Sequence, residues 1–327
     1  MQAGSESMRM YDRSGAAPFL FGFLLLATLL SARFASAEEP MAAEMARVPD
    51  YSEGIVFDHD GFAYISHGKY ISQISLAGNS SVLSSIWAET GSPNGHKVLA
   101  DGTHLVCDRI QHAVLHLDKT GKIIGKASSE CEGQPLRTPN DLTLDPRGGF
   151  YFTDPGGSEE EPIGTVHYVD IKGTTHLVTG GLFYPNGIVL RPSGKTLLVG
   201  ESKRNRILEF PVTAQGKVGP MRIFADLPAM SAGQIDNLPD GMALDTQGNL
   251  YVAHYGMKQV QVLDPSGKLI RRLPGGNLTT SNVAFAGPKM DQLFITGALG
   301  AQGTEGALFR IELPGVEGLR ILPAASR

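Results

Sequence analysis

Four oxygen-bearing residues head four copies of one short phrase, and they are the residues of this chain best suited to chemistry. Glu53 opens Glu53-Gly54-Ile55-Val56-Phe57-Asp58, and Asn140 opens Asn140-Asp141-Leu142-Thr143-Leu144-Asp145. Asn186 opens Asn186-Gly187-Ile188-Val189-Leu190, and Asp240 opens Asp240-Gly241-Met242-Ala243-Leu244-Asp245. Carboxylates and side-chain amides are hard donors that favour Ca2+ or Mg2+ and tolerate Mn2+; the set has no sulfur and no histidine pair spaced for zinc. Three such ligands leave open positions for water and a substrate oxygen, the arrangement a Lewis-acid catalyst needs. Asp or Asn before Gly is also an ordinary turn residue, and each one singly is explained as well that way. At equivalent places in a repeat, Glu53, Asn186 and Asp240 together point to a metal site, because a carboxylate facing a narrow channel is costly unless paired or metal-bound.

The repeat supplies the elements that would position them. Degenerate copies begin at Gly95 (Gly95-His96-Lys97-Val98) and Asn282 (Asn282-Val283-Ala284-Phe285), so six copies start 42 to 54 residues apart. Within a copy, short apolar runs flank a glycine-containing turn, as in Leu142-Thr143-Leu144 and Phe150-Tyr151-Phe152 around Asp145-Pro146-Arg147-Gly148. Such runs read as β-hairpins. A third run (Val260-Gln261-Val262-Leu263) and a fourth (Lys268-Leu269-Ile270-Arg271) complete a four-stranded unit. Units of this size repeated six times predict an all-β, six-bladed β-propeller with four-stranded antiparallel blades around a central channel. The strand that closes the ring would come from Leu319-Arg320-Ile321-Leu322 or from the segment before Glu53. In a propeller the first strand of each blade lines the channel, so the phrase-opening residues form a ring at one mouth. Antiparallel pairing brings Ser66-His67, Cys107-Asp108, Thr153-Asp154, Gly200-Glu201 and Ala253-His254 to the same mouth and predicts an acidic, oxygen-rich pocket there.

Of the 327 residues, 40 are glycine and 42% are hydrophobic, which suits one turn-rich domain. A net charge of −5 argues against an electrostatic nucleic-acid partner. At the N-terminus, Arg9 and Arg13 precede an apolar run from Phe19 to Leu30, and Ala35-Ser36-Ala37 follows as a cleavage pattern. That run is too short to span a bilayer comfortably. Residues 1–37 therefore read as a signal peptide and 38–327 as a single propeller domain, exported to a periplasmic or extracellular site, with no membrane contact after cleavage. An oxidising compartment permits a disulfide between Cys107 and Cys131. Asn79 and Asn277 lie in glycosylation sequons that count only in a eukaryotic secretory host.

These phrases resemble the SMP-30/gluconolactonase family of regucalcin-like (LRE) six-bladed lactonases. The matching pieces are Ser52-Glu53-Gly54, Thr138-Pro139-Asn140-Asp141-Leu142 with Tyr151-Phe152-Thr153-Asp154-Pro155, Tyr184-Pro185-Asn186-Gly187-Ile188 and Leu238-Pro239-Asp240-Gly241-Met242. The resemblance implies one divalent cation, Ca2+ before Mg2+, Mn2+ or Zn2+, held by Glu53, Asn186 and Asp240. It implies Asp240 as the catalytic base and Asn140 and Asp141 as contacts to a small-molecule lactone, in a monomer or small homo-oligomer. His96 is placed with the substrate contacts as a polar residue heading the second copy, where the pattern has nothing so polar. Two departures bear on substrate identity: Glu-Gly-Ile-Val-Phe replaces a Glu-Gly-Pro-x-Trp opening, and Thr138 stands where some members have an arginine that grips substrate hydroxyls, Arg137 lying one step off.

The implied reaction is metal-assisted lactone hydrolysis, with Asp240, or in its place His96, His67 or His254, taking a proton from water. The rivals are a propeller that binds a ligand without chemistry, and a related propeller acting on other lactones or esters or running strictosidine-synthase-like or phosphotriesterase chemistry. No Gly-x-Ser-x-Gly elbow is present for a serine hydrolase.

Overall fold

Six Asp-x-x-Gly turns punctuate the chain and set its hairpins. Asp58, Asp118, Asp145, Asp170, Asp245 and Asp264 each accept the N–H two residues on at 2.8–3.0 Å. The N–H of the glycine three residues on returns to the aspartate carbonyl. Each of those glycines has φ between 80° and 101°, which a Cβ would strain.

The computed structural model describes residues 40–76, 83–301 and 305–320. The signal-peptide reading of 1–37, the Asn79 sequon and Ile321-Leu322 lie outside the described residues. The described chain forms six blades in which sheet order follows sequence order. The innermost strands are Ser52–Phe57, Pro93–Val98, Leu142–Leu144, Pro185–Leu190, Leu238–Leu244 and Thr279–Ala286. One 3-10 turn, Ser202–Arg204, is the only helical element among the described residues.

The last blade settles how the ring closes. Its outermost strand is Ala43–Val48, antiparallel to Gly306–Glu312, so the segment before Glu53 supplies it. Of the C-terminal candidate, Leu319 and Arg320 instead line a cavity at the far end of the channel, where the Leu319 N–H donates to the Leu244 carbonyl. Six hydrophobic clusters fill the six gaps between neighbouring blades. One joins Ile65 and Ile74 of blade one to Phe294 and Leu308 of blade six, so no interface of the ring is left open. Burying each such side chain contributes about 2 kcal/mol.

At the mouth the inner strands break register, between Glu53 and Val56, Pro93 and His96, Pro185 and Ile188, and Pro239 and Met242. Bulges of this kind re-aim side chains. The glycines inside them are there for close approach: a Cβ on Gly54 would lie 1.8 Å from the Asn94 carbonyl, and one on Gly187 2.1 Å from the Asp240 carbonyl. The Asn-Gly and Asp-Gly phrases therefore mark the narrowest packing of inner strands and not turns.

Cys107 and Cys131 are both free, so the disulfide reading is not met. Cys107 packs between blades two and three, while the Cys131 thiol faces the Thr175 carbonyl at 3.7 Å. Asn277 is fully buried, its amide donating to the Ala307 carbonyl, which removes it as a glycosylation acceptor.

Candidate functional site

Strand register identifies the ring. Ser52, Pro93, Pro185 and Pro239 pair with His67, Asp108, Glu201 and His254 at the ends of the second strands. The next residue in each blade is the ring residue: Glu53, Asn94, Asn186 and Asp240, with Asn140 equivalent in blade three. Blade two thus contributes Asn94, one position before the Gly95 at which its copy was taken to begin. Blade six is also displaced. Val283 N–H donates to Asn282 Oδ1 at 2.9 Å, just as Leu142 N–H donates to Asp141 Oδ1 at 2.8 Å. Asn282 therefore matches Asp141, and Ser281 is the ring residue.

The ring is buried and rich in negative charge. Glu53, Asn94, Asn140, Asn186 and Asp240 are each no more than 7% exposed. The Tyr51 hydroxyl donates to Glu53 Oε1 at 2.7 Å. Burial first, then the Asp141 charge, pushes the Glu53 carboxyl up to about 7, against the pull of the Tyr51 hydroxyl, the Gly54 N–H and Arg109. Asp240 is raised well above the usual carboxylate range by burial, then by Glu53 and Asp141, with the Asn186 amide favouring its charged form. Asp141 is also raised, by burial, with Lys97 opposing. Its oxygens already accept from Leu142 N–H and Ile188 N–H, and Lys97 Nζ lies 3.9 Å away. Asp141 therefore belongs to the wall beneath the ring.

Glu53 and Asp240, each raised by burial and by neighbouring carboxylates, mark a place where added positive charge is strongly favourable. Asn140 Oδ1 is buried with no hydrogen-bond partner, an acceptor left over after the protein's own donors are used. Among the described residues no three His, Cys, Asp or Glu side chains converge as a ligand cluster. The donors are two carboxylates, Glu53 and Asp240, with the amides of Asn140 and Asn186. This all-oxygen set fits a hard divalent cation.

The second ring behaves differently from the acidic pocket predicted for it. Asp108 accepts four backbone N–H groups, from Gly91, Ser92, Ile110 and Gln111. Asp154 accepts from Arg137, Thr138 and Gly156, and Glu201 from Phe183 N–H and the Arg206 guanidinium. These acids pin the loops that lead into and out of their own blades.

The histidines are occupied as well. His96 is fully buried between blades one and two, its Nε2 2.8 Å from His104 Nδ1 and its ring against Tyr64 and Trp87. The substrate contact expected of it is not what the structure gives, because the bulge after Pro93 turns His96 outward and leaves Lys97 to line the channel. His67 is held by Ser72, and His254 by Asn205 and Gln261. Burial lowers the pKa of both, that of His254 to about 4.

Tyr51, Tyr184, Tyr255 and Arg109 form the rim, and the repeat gave no sign of them because they stand just outside the phrases. Tyr51 and Tyr255 meet edge-on at 6.2 Å. A cavity of about 550 Å3 opens at the opposite end of the channel, lined by Val56, Val98, Leu144, Val189 and Phe285. Asp58, Lys97 and Arg320 line it as well, and it holds none of the ring residues.

The sequence profile described as the SMP-30/Gluconolactonase/LRE-like region matches residues 51–299. A gluconolactonase of Zymomonas mobilis is 31% identical over 225 residues, 64% of this chain and 62% of that protein. Lactonase drp35 of Staphylococcus epidermidis is 34% identical over 165 residues, 48% of this chain and 49% of the relative. The chain thus spans about half to under two thirds of the length of these relatives. The calcium-binding protein regucalcin of Agrobacterium tumefaciens shares the fold, with a TM-score of 0.70 at 23% identity over 87% of this chain and 98% of that one. A profile match across most of the propeller, running through every phrase that builds the ring, makes this chain a member of the SMP-30/gluconolactonase/LRE-like family.

Proposed function

We propose that the chain is a divalent-metal-dependent lactone hydrolase of the gluconolactonase kind, working at the oxygen-lined mouth. The observation that carries this reading is the buried ring of Glu53, Asn140, Asn186 and Asp240, with an unpartnered acceptor on Asn140 and two carboxylates raised by burial and by neighbouring carboxylates. The names of two relatives, gluconolactonase and lactonase, support the substrate class. The regucalcin neighbour supports calcium.

Glu53, Asn186 and Asp240 would hold the cation, with Tyr51 fixing the Glu53 carboxylate through its 2.7 Å hydrogen bond. When bound, the cation supplies Lewis-acid polarisation of the lactone carbonyl. Asp240 takes a proton from water as the water oxygen bonds to the carbonyl carbon. The ring C–O bond then breaks, and the departing alkoxide takes up a proton to leave a hydroxy acid. Asn140 orients the substrate through its free Oδ1. We further propose that residues 1–37 direct export and that the mature chain works outside the cytosol, where calcium is plentiful.

The test is hydrolysis of gluconolactone and of a small aliphatic lactone by residues 38–327, first in chelator and then with Ca2+ or Mn2+ restored. Turnover abolished by chelator and recovered with metal is expected. Turnover indifferent to chelator would overturn the metal-dependent reading, and no turnover of either lactone would favour a propeller that binds without chemistry.

A further inference from the structure

Arg109 stands out among the basic residues around the mouth. It lies in the loop between the strands His104–Asp108 and Ala113–Leu117 of blade two, directly after the Asp108 that pins that loop. Its backbone N–H donates to the Ser92 carbonyl at 3.0 Å, which fixes its Cα beside the approach to Asn94. Its neighbours' cationic groups are engaged. Arg206 pairs with Glu201 at 2.6 Å, Lys203 with Glu159 at 2.8 Å, Arg137 bonds the Ile163 carbonyl, and Arg204 lies 3.7 Å over the Phe183 ring. Among the described residues the Arg109 guanidinium has no such partner. It stands at the same end of blade two as Asn94, because the loop that it begins follows the Asp108 that pairs with Pro93.

Two tyrosines stand at the same mouth on other blades. Tyr184 is held with φ of 56° immediately before Pro185-Asn186, its carbonyl accepting the Ser202 N–H. Tyr255 ends the second strand of blade five. The Tyr184 and Tyr255 hydroxyls have no hydrogen-bond partner among the described residues. Exposed apolar side chains flank this rim: Ile110 follows Arg109, and Ile235 is tied by its N–H to the Gly256 carbonyl beside Tyr255. Faces of this kind accept a compact, weakly polar ring, and a guanidinium fork accepts a carboxylate or phosphate bidentately. Without Arg109 an anion approaching this mouth would meet the charges of Glu53, Asp141 and Asp240.

We propose that Arg109 is a specificity-determining residue that binds an anionic substituent of the substrate, so that the preferred substrate is a lactone bearing a carboxylate or phosphate on the side away from its reacting carbonyl. This rests on the lactone-hydrolase reading above. The substrate ring packs between the tyrosines, the anion sits on Arg109, and the reacting carbonyl points down to the ring of oxygen ligands. Selection here comes from blade two, whereas position 138 of blade three, a threonine, carries no charge.

The experiment compares kcat/KM for a γ-butyrolactone carrying a carboxylate, the same ring carrying a phosphomethyl group, and the same ring carrying an uncharged carboxamide. Wild-type protein is expected to prefer at least one anionic ring over the carboxamide by tenfold or more, and the two anionic arms show which anion it takes. Arg109→Gln should abolish that preference mainly through KM on the anionic ring, and Arg109→Lys should restore part of it. A preference that survives Arg109→Gln, or a wild type that opens the carboxamide ring with no anionic preference, overturns the assignment and leaves the hydrolase reading standing. Failure of wild-type protein to open any of the three lactones removes the hydrolase reading and this inference with it.

Discussion

Asp240 and Asp108 are both buried carboxylates at the same end of the propeller, one on the inner strand of blade five and one at the end of the second strand of blade two. Asp108 is saturated, with two backbone N–H groups on each oxygen at 2.7–3.1 Å. Asp240 has Glu53 and Asp141 as its principal charged neighbours and is driven toward its neutral form. Residue type and burial do not separate them. What separates them is whether the protein has supplied the donors. A saturated carboxylate holds loops in place; a frustrated one beside an unpartnered Asn140 oxygen awaits a charge from outside.

Substitutions should divide along that line. The largest effect is expected from Asp240→Asn, a fall of about 10^3-fold in kcat/KM with the melting temperature nearly unchanged. Activity kept within threefold of wild type would erase the distinction from the catalytic side. Asp108→Ala should do the converse. Stripping the acceptor from four N–H groups costs about 4 kcal/mol of stability by denaturant unfolding, with lactone turnover per folded molecule falling less than tenfold. A stability loss under about 1 kcal/mol would show that the second ring is not the clamp described.

The buried histidines sharpen the contrast through pH. Burial lowers the His104 pKa from 6.5 to about 4. In that interval the unfolded chain binds a proton that the folded chain refuses, so stability is full above pH 6.5 and falls as pH drops toward about 4. The loss at this site is about 3 kcal/mol. His104→Gln should flatten the acid limb of a melting-temperature profile, and an unchanged limb would mean that the ring is protonated in the fold. The smallest effect is expected from His96→Gln. It should leave KM for lactone within twofold, because His96 packs on Trp87 and His104 behind the channel wall. A tenfold rise in KM would return His96 to the substrate.

The propeller was legible because its signals repeat. Six Asp-x-x-Gly turns and the apolar runs between them each mean the same thing wherever they occur. Glu53, Asn140, Asn186 and Asp240 were legible because they share one register. Asn94 was missed by one residue, although Pro93-Asn94-Gly95 carries the same phrase as Pro185-Asn186-Gly187. His96 was misplaced because the bulge breaks the simple alternation that strand reasoning assumes. The saturation of Asp108 and Asp154 was not legible, since their partners are backbone N–H groups that every residue except proline has. The rim of Tyr51, Tyr184, Tyr255 and Arg109 sits on segments outside the repeated phrase, so nothing periodic marked it.

The central claim is that the inner ring holds a cation and the second ring does not. Titration calorimetry of calcium into metal-stripped residues 38–327 tests it most directly, with Asp240→Asn and Asp108→Asn run beside wild type. One site in wild type, weakened at least a hundredfold by Asp240→Asn and within threefold of wild type in Asp108→Asn, is the predicted result. Equal calcium affinity in wild type and Asp240→Asn, or no calcium binding at all, would contradict the account.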